Sequence, residues 1–152
     1  MPGFIGLADR SVITLTGPDR VSFLDRLITN SVPASGLAYA ALLTPQGRVL
    51  TDLFIQSEAD RLLIDCDAGI TDELLSLLQR YRLRSAVTLT DDSTTYAAFA
   101  FDHPFEGAFP DPRLAQLGWR AILPRSRLTG TDLADITDSH ELQRLQLGIP
   151  RG

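Results

Sequence analysis

The feature that most constrains this chain is a rhythm of short strand-like runs separated by tight polar turns, with helical periodicity in few places. Residues 11–16, Ser-Val-Ile-Thr-Leu-Thr, are β-branched with period-two alternation and predict a strand. Gly17-Pro18-Asp19 then opens a helix, because Pro18 suits a first helical position. Val21, Leu24, Leu27 and Ile28 recur at helical spacing, and Asn30-Ser31-Val32-Pro33 ends the run. Residues 39–43 and 49–55 predict two strands joined by the hairpin connection Thr44-Pro45-Gln46-Gly47-Arg48, and residues 61–66 predict a fourth strand. A second helix begins at Thr71, with Asp72 and Glu73 in its first turn and Arg80, Arg82 and Arg84 near its end, which suits the helix dipole. Leu74, Leu75, Leu77, Leu78 and Tyr81 form its apolar face. Residues 86–90 and 94–101 are further strands.

This order, with its antiparallel hairpins, predicts an α+β fold: a mainly antiparallel sheet with helices packed on one face. A doubly wound parallel fold would alternate strand and helix throughout. Beyond Asp102 the pattern loosens: Pro104, Pro110 and Pro112, with Phe105 and Phe109, read as a loop, followed by a strand at 118–124. A last helix is expected from Asp138, with Glu141 completing a capping box. The 152 residues amount to one domain, with a possible sub-boundary near 102–117. The ending Leu147-Gly148-Ile149-Pro150-Arg151-Gly152 has the form of a connection, so residues 1–152 are expected to be the N-terminal portion of a longer protein.

Composition narrows the chemistry. A net charge of −5 argues against a surface that tracks nucleic-acid phosphates, and no apolar run is long enough to cross a membrane. No targeting segment is visible, which sets the expected location as bacterial cytoplasm. All 14 basic residues are arginine, which excludes a Schiff-base lysine or a Walker-type phosphate lysine. The single cysteine, Cys66, reads as a small buried hydrophobe in a strand, and no metal-ligand cluster is apparent. His103 reads as a loop residue and His140 as exposed in a helical first turn, and no catalytic residues are identifiable. Asp52 stands out because it interrupts an otherwise apolar strand. It either points outward on an open sheet face, is buried with a partner, or is presented to a nitrogenous ligand. Asp65 and Asp67 bracket Cys66 and share a side of their strand, so the hairpin region could converge carboxylates on one patch.

Four blocks resemble one known family. Leu15 to Asn30 is similar to the opening of the aminomethyltransferase folate-binding superfamily, a strand ending in a Gly-x-Asp turn followed by a Phe-Leu helix. Residues 41–53 resemble its next block, with a glycine turn and an Asp-Leu strand. Residues 78–87 resemble the block ending Tyr-x-x-Arg-x-x-Val, and residues 144–150 resemble Arg-Ile-Glu-Ala-Gly-Ile-Pro. The superfamily includes the glycine-cleavage T-protein and a YgfZ-like branch. The resemblance implies that Asp52 contacts folate, with Asp67 and the turn residues Gln46, Gly47 and Arg48 as further contacts. Gln146 falls where a folate-contacting glutamate is usual, and Asp67 where the T-protein has asparagine; these departures lean toward the YgfZ-like branch. The hallmark cysteine motif of that branch, Lys-Gly-Cys-Tyr-x-Gly-Gln-Glu, is expected beyond Gly152. The implied function is therefore a tetrahydrofolate-binding accessory protein supporting iron–sulfur cluster assembly or repair. Its cofactor would be tetrahydrofolate or a one-carbon derivative, and its partners iron–sulfur client proteins. The alternatives are an aminomethyltransferase of the glycine-cleavage or sarcosine-oxidase type, performing one-carbon transfer, and a non-catalytic interaction domain on the same scaffold.

Overall fold

A computed structural model of the protein describes residues 4–44 and 46–128. The strands are β1 (Phe4–Gly6), β2 (Arg10–Thr16), β3 (Gly36–Leu43), β4 (Val49–Ser57), β5 (Arg61–Asp67), β6 (Thr88–Asp91), β7 (Tyr96–Phe101), β8 (Phe109–Pro110) and β9 (Trp119–Pro124). The helices are α1 (Arg20–Asp25) and α2 (Thr71–Arg82). Two antiparallel sheets form, one in the order β3-β4-β5-β2-β6 and the other β1-β7-β9-β8. The expected α+β architecture is what the chain adopts.

Strand alternation divides the larger sheet into two faces. Ile13, Leu15, Leu53, Ile55, Leu62, Ile64 and Cys66 point one way and bury against Phe23 and Leu24 of α1 and Leu74 and Leu78 of α2. The opposite face, which the strand pattern alone allowed to be open, is covered by the second sheet, where Val12 and Leu63 pack on Ile122 of β9 with Tyr96 alongside. Gln56 of β4 ties the sheets together: its Nε2 donates to the Ile122 carbonyl at 3.0 Å, and the Ile122 N–H donates to its Oε1 at 2.9 Å. The stretch 102–117 links β7 to β9, two strands paired within one sheet.

Helix α1 stops at Asp25, although apolar spacing predicted helix through Ile28. The edge of β3 takes the backbone beyond it. The Leu43 N–H donates to the Leu27 carbonyl at 2.9 Å, the Thr29 N–H to the Ala41 carbonyl at 2.9 Å, and Ile28 bridges Leu42. Gly17 explains why the turn before α1 takes glycine. Its φ is +112°, and a Cβ there would lie 2.2 Å from the Ala86 carbonyl oxygen. Asp19 completes that clasp, since its Oδ2 accepts from the Ala86 N–H at 2.7 Å. Two of the blocks quoted above thus meet as a structural joint. The helix expected from Asp138 lies outside the described residues.

Candidate functional site

The β3–β4 register sets Tyr39 opposite Phe54 and Ala41 opposite Asp52. Side chains alternate along a strand, so Tyr39, Asp52 and Phe54 share the face turned toward the second sheet. The ladder between β4 and β5 runs from Ser57–Leu62 to Phe54–Asp65 and goes no further, although β4 reaches back to Val49 and β5 on to Asp67. Asp52 and Asp67 lie two residues beyond the last pair, on the same face, where the strands part. Strand alternation carries the two carboxylates to one end of the sheet.

Asp52 is half-buried and accepts a hydrogen bond from the Tyr39 hydroxyl through Oδ2. Its Oδ1 accepts no hydrogen bond among the described residues. Burial, together with the bond and the negative charge of Asp52, pushes the Tyr39 hydroxyl up to about 12. Tyr39 therefore stays protonated at neutral pH and fixes one oxygen of Asp52, leaving the other for an incoming donor. Asp67 divides its capacity differently: its Oδ1 accepts from the Gly69 N–H at 2.7 Å, capping the short 3₁₀ turn Ala68–Ile70.

Behind this end lies a buried charge network. Asp65, fully buried, accepts from Arg10 Nε at 2.6 Å and from Arg120 Nε and Nη2 at 3.1 and 2.8 Å. Burial alone would raise its carboxyl, but the two guanidinium groups outweigh that and hold it below the usual carboxylate range. Arg113 makes a fork to Asp111 at 3.0 and 2.8 Å. The Cζ atoms of Arg120, Arg113 and Arg10 lie 3.8, 4.9 and 5.8 Å from the Phe54 ring centroid, within cation–π range. Arg113 also lies over Tyr39 at 5.9 Å, and its Nη1 is buried without an acceptor among the described residues. Three arginines thus pair with two aspartates, Asp65 and Asp111, which makes the burial of so much charge tolerable.

The other expected site residues lie elsewhere. Gln46, Gly47 and Arg48 are exposed in the β3–β4 turn, where the Gly47 N–H donates to the Thr44 carbonyl at 2.9 Å and Gly47 adopts φ +83°. Gly47 also lines a groove of 360 Å³ with Arg26, Leu27, Leu43, Thr44 and Tyr81. Gln146 falls outside the described residues. Cys66 is buried, and burial, with the charge of Asp65 adding to it, raises its thiol to about 12. His103 pairs with Asp102 on the surface at 2.7 Å. No cluster able to hold a metal occurs among the described residues. Tyr39, Arg10, Arg113 and Arg120 were not singled out from sequence. The partners of Tyr39, Arg10 and Arg120 lie 13 to 55 residues away, at separations that periodicity does not report, whereas Arg113 forks to Asp111 two residues off in a loop without a period.

No protein-family model matches the chain. The iron–sulfur cluster assembly factor IBA57 of Mus musculus, a mitochondrial protein, is 30% identical over 96% of this chain and 50% of its own length. The Homo sapiens protein of that name is 29% identical over 96% of this chain and 50% of its length. The homologue from Mycosarcoma maydis is 29% identical over 94% of this chain and 42% of its own length. The chain spans about half the length of these curated relatives. These relatives overturn the expected bacterial cytoplasmic location, because they are mitochondrial proteins of eukaryotes. Among solved structures, the glycine cleavage system aminomethyltransferase T from Bartonella henselae superposes with a TM-score of 0.57 at 18% identity, over 66% of this chain and 28% of that one. The heterotetrameric sarcosine oxidase from Corynebacterium sp. U-96 superposes with a TM-score of 0.51 at 13% identity, over 91% of this chain and 83% of that one. The chain is thus similar in sequence to the IBA57 iron–sulfur cluster assembly factors and shares the fold of the glycine-cleavage aminomethyltransferase T-protein.

Proposed function

We propose that this chain works in iron–sulfur cluster assembly and binds tetrahydrofolate, or a one-carbon derivative, where β4 and β5 part. The names of its relatives support the first half. The observation that carries the second is the half-buried Asp52, with one oxygen held by Tyr39 and the other uncommitted. A reduced pterin presents several N–H donors along one edge. A carboxylate fixed in orientation beside a half-buried aromatic ring suits that edge, and a charge-assisted bond to it contributes about 1.5–3 kcal/mol. Tyr39 and Arg113 act here as positioning groups. Among the described residues Asp67 has an oxygen left over after capping its turn, and it lies on the same face.

Calorimetric titration of tetrahydrofolate into the full natural protein tests the folate reading. Asp52→Ala is expected to weaken binding roughly tenfold or more, and Tyr39→Phe by a smaller factor, since it frees the carboxylate without removing it. Unchanged affinity in Asp52→Ala removes Asp52 from the site. The assembly role is tested separately, by iron–sulfur enzyme activity in cells lacking the protein. Full activity in such cells would refute that role whatever the folate result.

A further inference from the structure

One structural oddity lies away from the parted strands. Leu83 follows the last residue of α2 with φ +43° and ψ −108°, and it is 87% exposed. The Ser85 N–H donates to the Arg82 carbonyl at 2.8 Å, closing a turn in which Leu83 occupies the position that types with positive φ reserve for glycine. A leucine there is strained and gains almost no burial in return. Local sequence and local structure disagree here, and such disagreements concentrate at working surfaces.

The surroundings carry an excess of positive charge. A groove of 840 Å³ runs between α1 and the end of α2, lined by Arg26, Tyr81, Arg82, Leu83 and Arg84. Arg82 completes the dipole pairing of α2 and donates to the Val87 carbonyl at 3.5 Å. Arg26 donates to the Ser22 carbonyl and to Ser85 Oγ, each at 3.3 Å, and stays exposed. Arg84 lies beyond the helix, is exposed, and makes no hydrogen bond among the described residues. Asp19, the acidic residue of the groove, gives an oxygen to the Ala86 N–H. In a chain of net charge −5 this is a local basic patch around a protruding apolar side chain.

We propose that this groove docks an acidic segment of a partner protein in which carboxylates flank an apolar side chain seated on Leu83. Charge complementarity selects the carboxylates and the exposed leucine selects the apolar residue. The open, partly apolar character of the groove suits a peptide better than an inorganic phosphate, which favours enclosing backbone N–H groups. The proposal does not depend on the folate reading.

Fluorescence anisotropy with a labelled Glu-Asp-Leu-Glu-Asp peptide and the full natural protein tests it. Binding at low salt is expected, and Arg26→Glu combined with Arg84→Glu is expected to weaken it at least tenfold. Leu83→Gly is expected to weaken it about threefold or more while the protein remains folded. Replacing the peptide's leucine with serine should cost a similar factor. Several results would overturn the proposal: no binding by the wild-type protein, as when another part of the chain covers the groove; binding unaffected by the charge reversal; equal binding of the serine peptide; or equally effective displacement by inorganic pyrophosphate.

Discussion

Replacing Leu83 with glycine should make the protein more stable, against the usual trend for removing a leucine. A residue held in a sparsely populated backbone region costs about 1–3 kcal/mol, and glycine adopts φ +43°, ψ −108° without that cost. Against the gain stands the larger conformational entropy of glycine in the unfolded chain, about 0.5–1 kcal/mol. The lost burial is small. With 87% of the residue exposed, it amounts to a few tenths of the roughly 1.5–3 kcal/mol that full burial of a leucine supplies. The balance is a stabilisation of about 1 kcal/mol, or about 2–4 °C in Tm for a chain of this size. Urea denaturation followed by far-UV circular dichroism measures it, with Leu83→Ala as control. Alanine removes the same side chain but keeps the Cβ that makes the conformation costly, so it should show no gain. The reasoning is refuted if glycine destabilises, or if alanine stabilises as much as glycine.

Other expectations follow from the same contacts. Gly17→Ala should destabilise by several kcal/mol, because its Cβ would meet the Ala86 carbonyl oxygen at 2.2 Å; a stable variant in thermal melts would mean that the clasp can open. Asp65→Asn should cost about 3–5 kcal/mol by leaving Arg10 and Arg120 buried with a neutral partner, read as the shift in urea midpoint. Because the folded-state pKa of Asp65 is depressed, its contribution is complete above the unfolded value of about 4 and is lost as pH falls through the folded value; Asp65→Asn should flatten that acid limb. Tyr39 has the opposite sign. Its contribution is complete below the unfolded value of about 10 and is lost as pH rises toward about 12, so the tyrosinate absorbance step near 12 should vanish in Tyr39→Phe.

Much of the architecture was legible because it rests on local patterns. Alternation at residues 11–16, 49–55 and 61–66 marked strands whose inward residues form the core, and the run Leu74 to Tyr81 marked α2. The turn at residues 44–48 correctly joined β3 to β4. The apolar spacing at Leu27 and Ile28 misled, because a sheet edge competes for the same backbone and wins by two hydrogen bonds. The second sheet could not be placed on the first from the pattern, since β8 has two residues and β1 three, too short to show a period. Asp52 was legible as an anomaly in its strand. Its partner Tyr39 was not, because cross-strand register depends on a bulge between Leu42 and Leu43 that nothing in the residue types announces. The strained turn at Leu83 was invisible for a plainer reason: Arg-Leu-Arg carries no turn chemistry, so helix was expected to continue through it.

The Gln56 amide has a consequence for how the molecule behaves in company. Strand β9 pairs with β7 along its length, but β8 covers its other side only at Trp119 and Arg120. The backbone groups of Ile122 would otherwise form an unclaimed rung on which a foreign strand could begin to add. One side-chain amide, donor and acceptor together, fills that rung in place of a peptide bond and comes from the opposing sheet. The contact that aligns the two layers therefore also guards against extension, and its removal would expose the chain to edge-to-edge association as well as loosen its core.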